Sequence, residues 1–287
     1  MKDFIYSNLL KHVPKNTIKK VSTSKTTHLL VNGDSLNLLN YLPKNSINLV
    51  ITDPPYNRNL NYGNTYNDNK KWPEYYQWYK SWLKLIPPIL SDTGSFYLIN
   101  YPEINARVLP YIEDELHLKL QNWIVWHYPT NIGHSPKKFT RSHRSILFFT
   151  KGNSYTFNSD EIIQPYKNPE VTKIKERIKN GHNGRKSYDK LNFIDLIELY
   201  NYRTDVLDFN LLKNVSKDRL NKEHPCQLPL ALLRVLVKVS SNTGDTVLDP
   251  FAGTFTLSQI AKELGRNSIG IEINPDYINL GLRRLIK

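Results

Sequence analysis

The chain has 287 residues, of which 39% are hydrophobic, and it carries 39 Lys and Arg against 26 Asp and Glu, a formal net charge of +13. This length and apolar content fit one large domain, or one domain with an insertion, and exclude a disordered chain. The positive charge favours a polyanionic partner, with nucleic acid ahead of an anionic membrane surface. Because Cys226 is the single cysteine, an internal disulfide and a cysteine-based metal site are excluded.

Two further features of the sequence indicate where in the cell the protein is located. No apolar run approaches the length needed to cross a bilayer, and the N-terminal residues lack the apolar centre of a signal peptide. We therefore predict a cytoplasmic protein without a membrane partner. The eight His residues show no ligand spacing such as His-x-x-x-His, so we predict no metal.

The N-terminal part of the chain changes character near residue 28. Residues 1–27 are polar, basic and rich in Ser and Thr, which predicts a basic N-terminal arm that is flexible or loosely docked. The apolar run 28–34, closed by Gly and Asp, predicts a strand. Ser35 is expected to cap a short helix over 36–42, and the run 47–52 predicts the next strand.

The tetrapeptide Asp53-Pro54-Pro55-Tyr56 follows that second strand directly. The two prolines fix φ and remove two amide donors, so the chain is expected to leave the sheet as a stiff turn with outward carbonyl oxygens. An acid, a fixed carbonyl and an aromatic ring together suit a planar group that bears an amine, such as a nucleobase. The simpler interpretation is a strand followed by a Pro-rich turn.

The elements after this motif alternate between helix and strand. Residues 57–71 are Asn-rich with little apolar content and predict a long functional loop, whose Arg58, Lys70 and Lys71 are predicted DNA contacts. An aromatic stripe at helical spacing over 72–90 predicts a buried helix. Later elements are predicted as strands over 94–99, 123–126 and 145–149, with a helix over 103–117. This alternation predicts an α/β fold with a largely parallel sheet.

The composition shifts again after Gly152. Residues 151–222 are predicted to form an insertion, and the stretch 167–190 holds eight basic residues against three acids. A solvated charged helix is the competing interpretation. The predicted phosphate contacts in this insertion are Lys173, Lys175, Arg177, Lys179, Arg185 and Lys186.

A second strand-and-turn motif lies near the C-terminus. The run 246–256 reads as a buried strand that ends in Asp249, a turn that contains Gly253, and the start of a helix, which is how a nucleoside-bearing cofactor is held. Glu272 ends the next strand and is placed to accept hydrogen bonds from ribose hydroxyls. Because there is no G-x-G-x-x-G and no Lys in a phosphate loop, S-adenosylmethionine fits better than a dinucleotide or a triphosphate.

These motifs together resemble the amino-group DNA methyltransferases that use S-adenosylmethionine, in the class where the Asp-Pro-Pro-Tyr motif precedes the cofactor motif. The order separates that class from enzymes acting on protein glutamine or RNA guanine, which usually place the cofactor motif first. The blocks that carry the resemblance are 32–35, 52–57, 224–229, 249–256 and 270–273.

The resemblance implies a three-layer, doubly wound Rossmann-like fold with an inserted target-recognition region. The implied divisions are a basic arm (1–27), a catalytic half (28–150), the insertion (151–222) and a cofactor-binding half (223–287). Asp34 would contact the adenine of the cofactor and Glu272 its ribose. The methionine part would be surrounded by Asp249, Phe251, Gly253, Thr254 and Thr256, and closed by His224 and Gln227.

Three residues depart from the pattern of this family. Phe255 stands where a second Gly is usual, Cys226 and Leu228 replace Thr and Lys, and Arg144 stands where Glu is frequent. A Pro-Cys pair also resembles the nucleophile of cytosine-5 methyltransferases. In those enzymes the cofactor motif comes first, whereas Cys226 precedes Asp249, so we interpret Cys226 as structural or as a cofactor neighbour.

The resemblance implies methyl transfer to the exocyclic N6 of adenine in double-stranded DNA, with base flipping and Tyr56 as a stacking platform. We prefer adenine N6 to cytosine N4 because Asp begins the motif, where cytosine enzymes of this class more often have Ser. An RNA methyltransferase and a catalytically inactive nucleic-acid-binding relative are the two remaining hypotheses. The resemblance also implies a bacterial or archaeal host and a homodimer. The enzyme would act either in a restriction-modification system, with a cognate restriction endonuclease, or as an orphan modification enzyme.

Overall fold

A computed structural model of the protein describes residues 2–60, 68–128, 137, 139–162, 205–211 and 227–286. Nine strands form one sheet within these ranges. They are β1 Ile18–Ser22, β2 Thr27–Asn32, β3 Ile47–Thr52, β4 Leu90–Asn100, β5 Lys119–His127, β6 His143–Thr150, β7 Val206–Asp208, β8 Thr246–Asp249 and β9 Asn267–Glu272. Their order across the sheet is β1-β2-β9-β8-β3-β4-β6-β5-β7.

Helices connect most of these strands. They are α1 Lys2–Leu10, α2 Ser35–Leu38, α3 Trp72–Leu83, α4 Ile86–Ile89, α5 Pro102–Pro110, α6 Leu230–Ser240, α7 Thr256–Glu263 and α8 Pro275–Ile286. A π-helical turn, Tyr111–Glu115, continues α5, and short 3-10 turns occur at Lys15–Thr17, Leu39–Tyr41 and Ser159–Ile162.

The sheet is mostly parallel, which confirms the prediction from the alternating elements. Strands β2, β9, β8, β3 and β4 all run in one direction, and β7 is parallel to β5. Strand β1 is antiparallel to β2, and β6 is antiparallel to both of its neighbours, β4 and β5. The start of β6 therefore lies at the same edge of the sheet as the ends of β3 and β4.

Alternate side chains of the central strands enter two separate cores, which makes the fold three-layered. In β3, Val50 packs with residues of α3 and α5, whereas Leu49 and Ile51 pack with residues of α6 and α7. Strand β4 alternates in the same way through Phe96 and Tyr97. Because successive side chains of a strand point to opposite faces, a strand buried on both faces reads as a continuous apolar run.

The prediction of a loosely docked N-terminal arm is wrong for residues 4–26. Helix α1 buries Ile5 and Leu9 in the core, and β1 extends the sheet by pairing with β2. Strand β1 exposes Lys19 and Lys20 and buries Ile18, so it is a short edge strand with the basic residues that protect such edges.

The predicted insertion, 151–222, contributes in part to the central sheet. Strand β7 lies inside that range and pairs with the end of β5, where Val125 is opposite Val206. The 3-10 turn Ser159–Ile162 packs on α6, and Lys238 donates to Glu161 at 2.8 Å. The predicted phosphate contacts between 173 and 186 lie outside the described residues.

No helix in the described part of the chain is long and apolar enough to span a bilayer. A search of the same ranges for three or more His, Cys, Asp or Glu side chains that could hold a metal ion finds no such group.

Candidate active site

Four acids lie at the carboxyl ends of four adjacent strands. Glu272 ends β9 and Asp249 ends β8, whereas Asp53 follows β3 directly and Asp34 follows β2 by two residues. Since β2, β9, β8 and β3 are parallel neighbours, these acids share one edge of the sheet. Ligands of open α/β sheets bind in the crevice outside that edge.

A cavity of about 350 Å³ lies at this edge, which is within the usual size range of small-molecule sites. All four acids line it. Eight of the nine predicted cofactor residues line the cavity, and the ninth, His224, lies outside the described residues. The eight are Asp34, Gln227, Asp249, Phe251, Gly253, Thr254, Thr256 and Glu272.

Asp249 is held by the turn that follows its own strand. Its Oδ1 atom accepts hydrogen bonds from the backbone N–H of Phe251 at 3.0 Å and from the Thr52 hydroxyl at 3.2 Å. The pKa of Asp249 is raised to about 7, mainly by burial and to a smaller extent by the nearby carboxylates of Asp53 and Glu272, while the two hydrogen bonds act to lower it. The Thr52 hydroxyl thus links the end of β3 to the end of β8.

Glu272 joins two backbone turns across the cavity. Its Oε2 accepts from the N–H of Gly253 and its Oε1 from the N–H of Asn274, both at 2.8 Å. Burial raises the pKa of Glu272 to about 7 despite these bonds. A carboxylate fixed in this way at a strand end keeps further lone pairs for ligand hydroxyls.

Asp34 caps α2, which corrects the prediction that Ser35 does so. The Asp34 side chain accepts from the N–H of Leu36 at 2.9 Å, and Ser35 is the first residue of the helix. The Ser35 hydroxyl instead donates to the backbone carbonyl of Pro250. Ser35 therefore connects the turn after β2 to the turn after β8.

The aromatic stripe of α3 packs against Phe251, one of the predicted cofactor contacts in the cavity. The ring of Phe251 lies 5.6 Å from that of Trp78 and 5.1 Å from that of Trp82, measured between centroids. Trp78 also lines the cavity, whereas Trp82 is fully buried. The stripe is thus core, as predicted, and one of its edges forms a ligand wall.

Asp53 and Tyr56 form a hydrogen-bonded pair within the predicted catalytic motif. The Tyr56 hydroxyl donates to the Asp53 carboxylate, at 2.6 Å from Oδ1 and 2.5 Å from Oδ2. Tyr56 is 1% exposed, so its ring does not present an open face for a base in this structure. The stacking role of Tyr56 stays a prediction, and it requires the side chain to move.

Arg144 completes this pair from β6. One guanidinium nitrogen donates to the Tyr56 hydroxyl and lies 3.8 Å from Oδ2 of Asp53. Burial raises the pKa of Asp53 to about 6, while the charge of Arg144 and the Tyr56 hydroxyl act to lower it. Asp53 consequently changes its protonation state just below neutral pH.

The carbonyl groups of the two prolines differ in their contacts, which partly corrects the expectation that both oxygens face outward. The Pro55 carbonyl accepts from the Tyr75 hydroxyl at 2.6 Å, which ties the turn to α3. Within the part of the chain that the structure describes, no donor contacts the Pro54 carbonyl. Of the two carbonyls, that of Pro54 is the one left to accept from a ligand amine.

Of the predicted loop contacts, Lys70 lines the cavity. Arg58 donates to Glu103, and its guanidinium lies 5.0 Å from the ring centroid of Tyr101. Lys71 is the residue before α3. The rest of the predicted DNA contacts lie outside the described residues.

Asp68 is a site residue that sequence reasoning missed. It is 3% exposed, and its carboxylate accepts from the backbone N–H groups of Asn57, Arg58 and Leu60 at 2.8–2.9 Å. Asp68 thereby fixes the chain directly after Tyr56. No local pattern signals this role, because eight or more residues separate Asp68 from each donor.

Comparisons with known proteins agree with this site. A family model described as DNA methylase matches residues 47–283. The type II methyltransferase M.HpaI of Haemophilus parainfluenzae is 33% identical over 83% of this chain and 67% of its own length. The DNA adenine methyltransferase YhdJ of Escherichia coli K12 is 32% identical over 89% of this chain and 82% of its own length.

One solved structure shows the likeness in fold. The PvuII DNA methyltransferase, named as cytosine-N4-specific, superimposes with a TM-score of 0.67 over 92% of this chain and 87% of that one, at 21% identity. This likeness agrees with a doubly wound α/β architecture around the four acids.

Proposed function

The chain belongs to the DNA methylase family, and we propose that it transfers the methyl group of S-adenosylmethionine to the exocyclic N6 of adenine at specific sites in double-stranded DNA. The match confirms the resemblance to amino-group methyltransferases, whose methyl donor is S-adenosylmethionine. Three points are our proposals: the choice of adenine, the membership of the class in which the Asp-Pro-Pro-Tyr motif precedes the cofactor motif, and the roles of single residues.

The observation that carries the proposal is that Asp53 lines the same cavity as Asp34, Asp249 and Glu272. S-adenosylmethionine supplies an electrophilic methyl group on a positively charged sulfur. Asp249 and Glu272 fit this donor, because buried carboxylates with raised pKa values are stabilised by a nearby cation. Glu272 also suits ribose hydroxyls, as proposed from the sequence.

The exocyclic amine of adenine is a weak nucleophile because its lone pair is delocalised into the ring. Asp53 and the Pro54 carbonyl would accept hydrogen bonds from the two amine hydrogens and direct the lone pair at the methyl group. The Asp53 carboxylate would also stabilise the positive charge that develops on nitrogen. A proton leaves the nitrogen during or after transfer.

The target base must leave the duplex to reach Asp53. The Tyr56 hydroxyl donates to both acceptor oxygens of Asp53 in the structure. Binding of the base therefore requires Tyr56 to give up at least one of these bonds. We propose that its ring then stacks on the flipped base.

Two observations bear on which base is methylated. The relative YhdJ is named as an adenine methyltransferase, and the motif begins with Asp53. Cytosine N4 is the second candidate, because the structure of PvuII methyltransferase has a similar fold and is named as specific for that amine. Both amines can donate two hydrogen bonds to the same acceptors, so nucleoside analysis has to decide.

The experiment uses the purified protein, genomic DNA and S-adenosylmethionine with an isotopically labelled methyl group, followed by nucleoside analysis. We expect labelled N6-methyladenine, and 4-methylcytosine would instead establish the second candidate. Structured RNA as the preferred acceptor would point to an RNA enzyme. Asp53→Asn should lower the rate of methyl transfer by about 10²-fold or more, while cofactor binding persists. If the unsubstituted protein transfers no methyl group, it is a non-catalytic relative.

The remaining proposals concern the setting of the enzyme. We propose that it works in the cytoplasm of a bacterium or archaeon, with a cognate restriction endonuclease as its functional partner. A homodimer is proposed from family resemblance and is tested by light scattering. The residues 173–186 are proposed to contact DNA phosphates.

A further inference from the structure

Arg144 occupies an unusual position for an arginine. Its side chain is 9% exposed, and its guanidinium carbon lies 4.5 Å from the ring centroid of Tyr56 and 5.4 Å from those of Tyr101 and Trp126. It reaches this position because β6 is antiparallel, which places its first residues at the edge that holds Asp53. Three aromatic rings thus fix the guanidinium beside the catalytic motif.

The hydrogen bonds of this cluster create a competition at Asp53. Tyr56 donates its hydroxyl proton to both carboxylate oxygens, while Arg144 donates to the oxygen of the same hydroxyl. A target amine needs the oxygens that Tyr56 now holds. The Tyr56 hydroxyl must therefore be released from Asp53 without losing every partner in a buried site.

We propose that Arg144 is a positioning residue for methyl transfer: its guanidinium retains the Tyr56 hydroxyl and holds the Asp53 carboxylate in place when the target amine replaces Tyr56 at Asp53. The flat guanidinium offers several N–H donors in fixed directions, so it can serve both groups at once. This inference rests on the proposed function, because it assigns the acceptor oxygens of Asp53 to the amine.

The charges around Asp53 give Arg144 a second effect. Tyr56 contacts Asp53 from its own turn, Asp249 faces it from β8, Lys70 lines the same cavity, and Arg144 faces it from β6. Burial disfavours the carboxylate form of Asp53, and the charge of Arg144 and the hydrogen bond from Tyr56 oppose burial. Loss of the Arg144 charge should therefore raise the pKa of Asp53 further.

The first test titrates Asp53 in the protein alone, without DNA or cofactor. Aspartate labelled with ¹³C at the carboxyl carbon is followed by NMR, with Asp53→Asn used to assign the signal. In Arg144→Gln we expect the midpoint to rise by about one pH unit or more. Arg144→Lys keeps the charge and should stay close to the unsubstituted protein.

Arg141→Gln is the matched control for this titration. Arg141 also stacks on Tyr101, at 4.4 Å, but its guanidinium binds Glu103 at 2.8 Å. We expect Asp53 to titrate normally in this variant. An unchanged midpoint in Arg144→Gln, or an equal shift in Arg141→Gln, would overturn the electrostatic part of the inference.

The second test separates positioning from charge. Arg144→Lys cannot present the fork that serves Tyr56 and Asp53 together. In the pH profile of kcat for Arg144→Lys, we expect the plateau to fall about tenfold or more, while the acid limb stays at the same pH. The KM for S-adenosylmethionine should not change. In Arg144→Gln the acid limb of kcat should also move to higher pH.

These outcomes remain decisive if one variant does not fold. Arg144→Lys alone refutes the positioning role if it is folded by circular dichroism and its plateau kcat equals that of the unsubstituted protein. If the unsubstituted protein transfers no methyl group, the proposed function fails. The NMR titration then still tests whether the charge of Arg144 lowers the pKa of Asp53. If transfer is normal and both Arg144 variants behave like the unsubstituted protein, only the inference fails.

Discussion

The ring of Phe255 lies in the space that a side chain at Gly270 would need. A Cβ atom built on Gly270 would come within 2.5 Å of Cε1 of Phe255, and one built on Gly281 would come closer still to the same ring. Phe255 is fully buried and has a φ of 59°, a left-handed conformation that favours Gly. Phe255, which stands where the family usually has Gly, is therefore accommodated by two glycines elsewhere, Gly270 on β9 and Gly281 on α8.

This compensation predicts strong coupling between Phe255 and Gly281. Phe255→Ala should cost about 3–5 kcal/mol through the cavity it leaves. Gly281→Ala should destabilise the unsubstituted protein by about 1–3 kcal/mol through overpacking. Combined with Phe255→Ala, the same substitution should cost far less, since the ring is then gone, only the flexible end of Leu30 lies within 2.9 Å of the new methyl group, and Ala favours the helix.

Urea unfolding of the four proteins in this double-mutant cycle measures the coupling. Gly152→Ala serves as the control, because a Cβ there would meet its nearest atom at an ordinary 3.7 Å. Additive effects of Phe255→Ala and Gly281→Ala would contradict the compensation.

A second prediction concerns Asp68 and the chain after the catalytic motif. Asp68→Ala removes the acceptor of three backbone N–H groups, and a lost bond to a charged group costs about 1.5–3 kcal/mol. We expect faster hydrogen exchange at Asn57, Arg58 and Leu60 and a lower kcat. Asp68→Asn keeps one acceptor oxygen and should show a smaller change.

Hydrogen exchange with site resolution decides whether Asp68 acts locally. Amides of β8, far along the chain from Asp68, serve as the internal control. Equal acceleration in β8 and in the segment after Tyr56 would mean that the substitution destabilises the whole domain.

The strands that carry the site could be predicted with their bounds. Strands β3 and β8 match the predicted ranges 47–52 and 246–249, because strands buried on both faces are continuous apolar runs. Once these strands are parallel, Asp53 and Asp249 must share an edge. The grouping of the predicted cofactor residues around one cavity therefore followed from strand ends and turn residues alone.

The direction of single strands and the contacts between residues far apart in the chain could not be predicted from the sequence. An apolar run such as β6 does not reveal whether it is antiparallel, so the position of Arg144 at the catalytic edge could not be derived. Strand β1 was missed because a short edge strand with Lys19 and Lys20 resembles a basic tail. The role of Asp68 depends on a loop conformation that no periodic pattern encodes.

A third prediction addresses DNA binding and its salt dependence. With a net charge of +13, DNA affinity should fall steeply as salt rises, with a slope of about −0.9 per neutralised phosphate. Substituting Lys173 and Lys175 together by Ala should reduce the magnitude of that slope by about 1–2. Fluorescence anisotropy at several salt concentrations measures it.

The control replaces two lysines at the edge of the sheet opposite to Asp53. Lys119 begins β5 and Lys238 lies near the end of α6, where they contact Asn153 and Glu161. Their joint replacement by Ala should leave the slope unchanged. A shallow slope in the unsubstituted protein would remove the phosphate-contact proposal.

The last prediction follows from the raised pKa values of Asp249 and Glu272, both about 7. Below that pH both carboxyls are largely protonated in the cofactor-free protein. A bound sulfonium favours their charged forms, so binding should lower both pKa values and release protons. The affinity for S-adenosylmethionine should therefore rise as pH increases through about 7.

S-adenosylhomocysteine is the matched ligand, because it lacks the sulfonium charge and keeps the adenosine and amino acid groups. Its affinity should change less over the same pH range, since only hydrogen bonds such as those from ribose hydroxyls to Glu272 remain linked to the carboxylate form. Isothermal titration in two buffers of different ionisation enthalpy measures affinity and proton release together. Equal pH dependence of the affinity for both ligands would show that the acids do not face the sulfonium. In that case, measuring both affinities in Glu272→Gln would show whether the ribose contact alone accounts for the pH dependence.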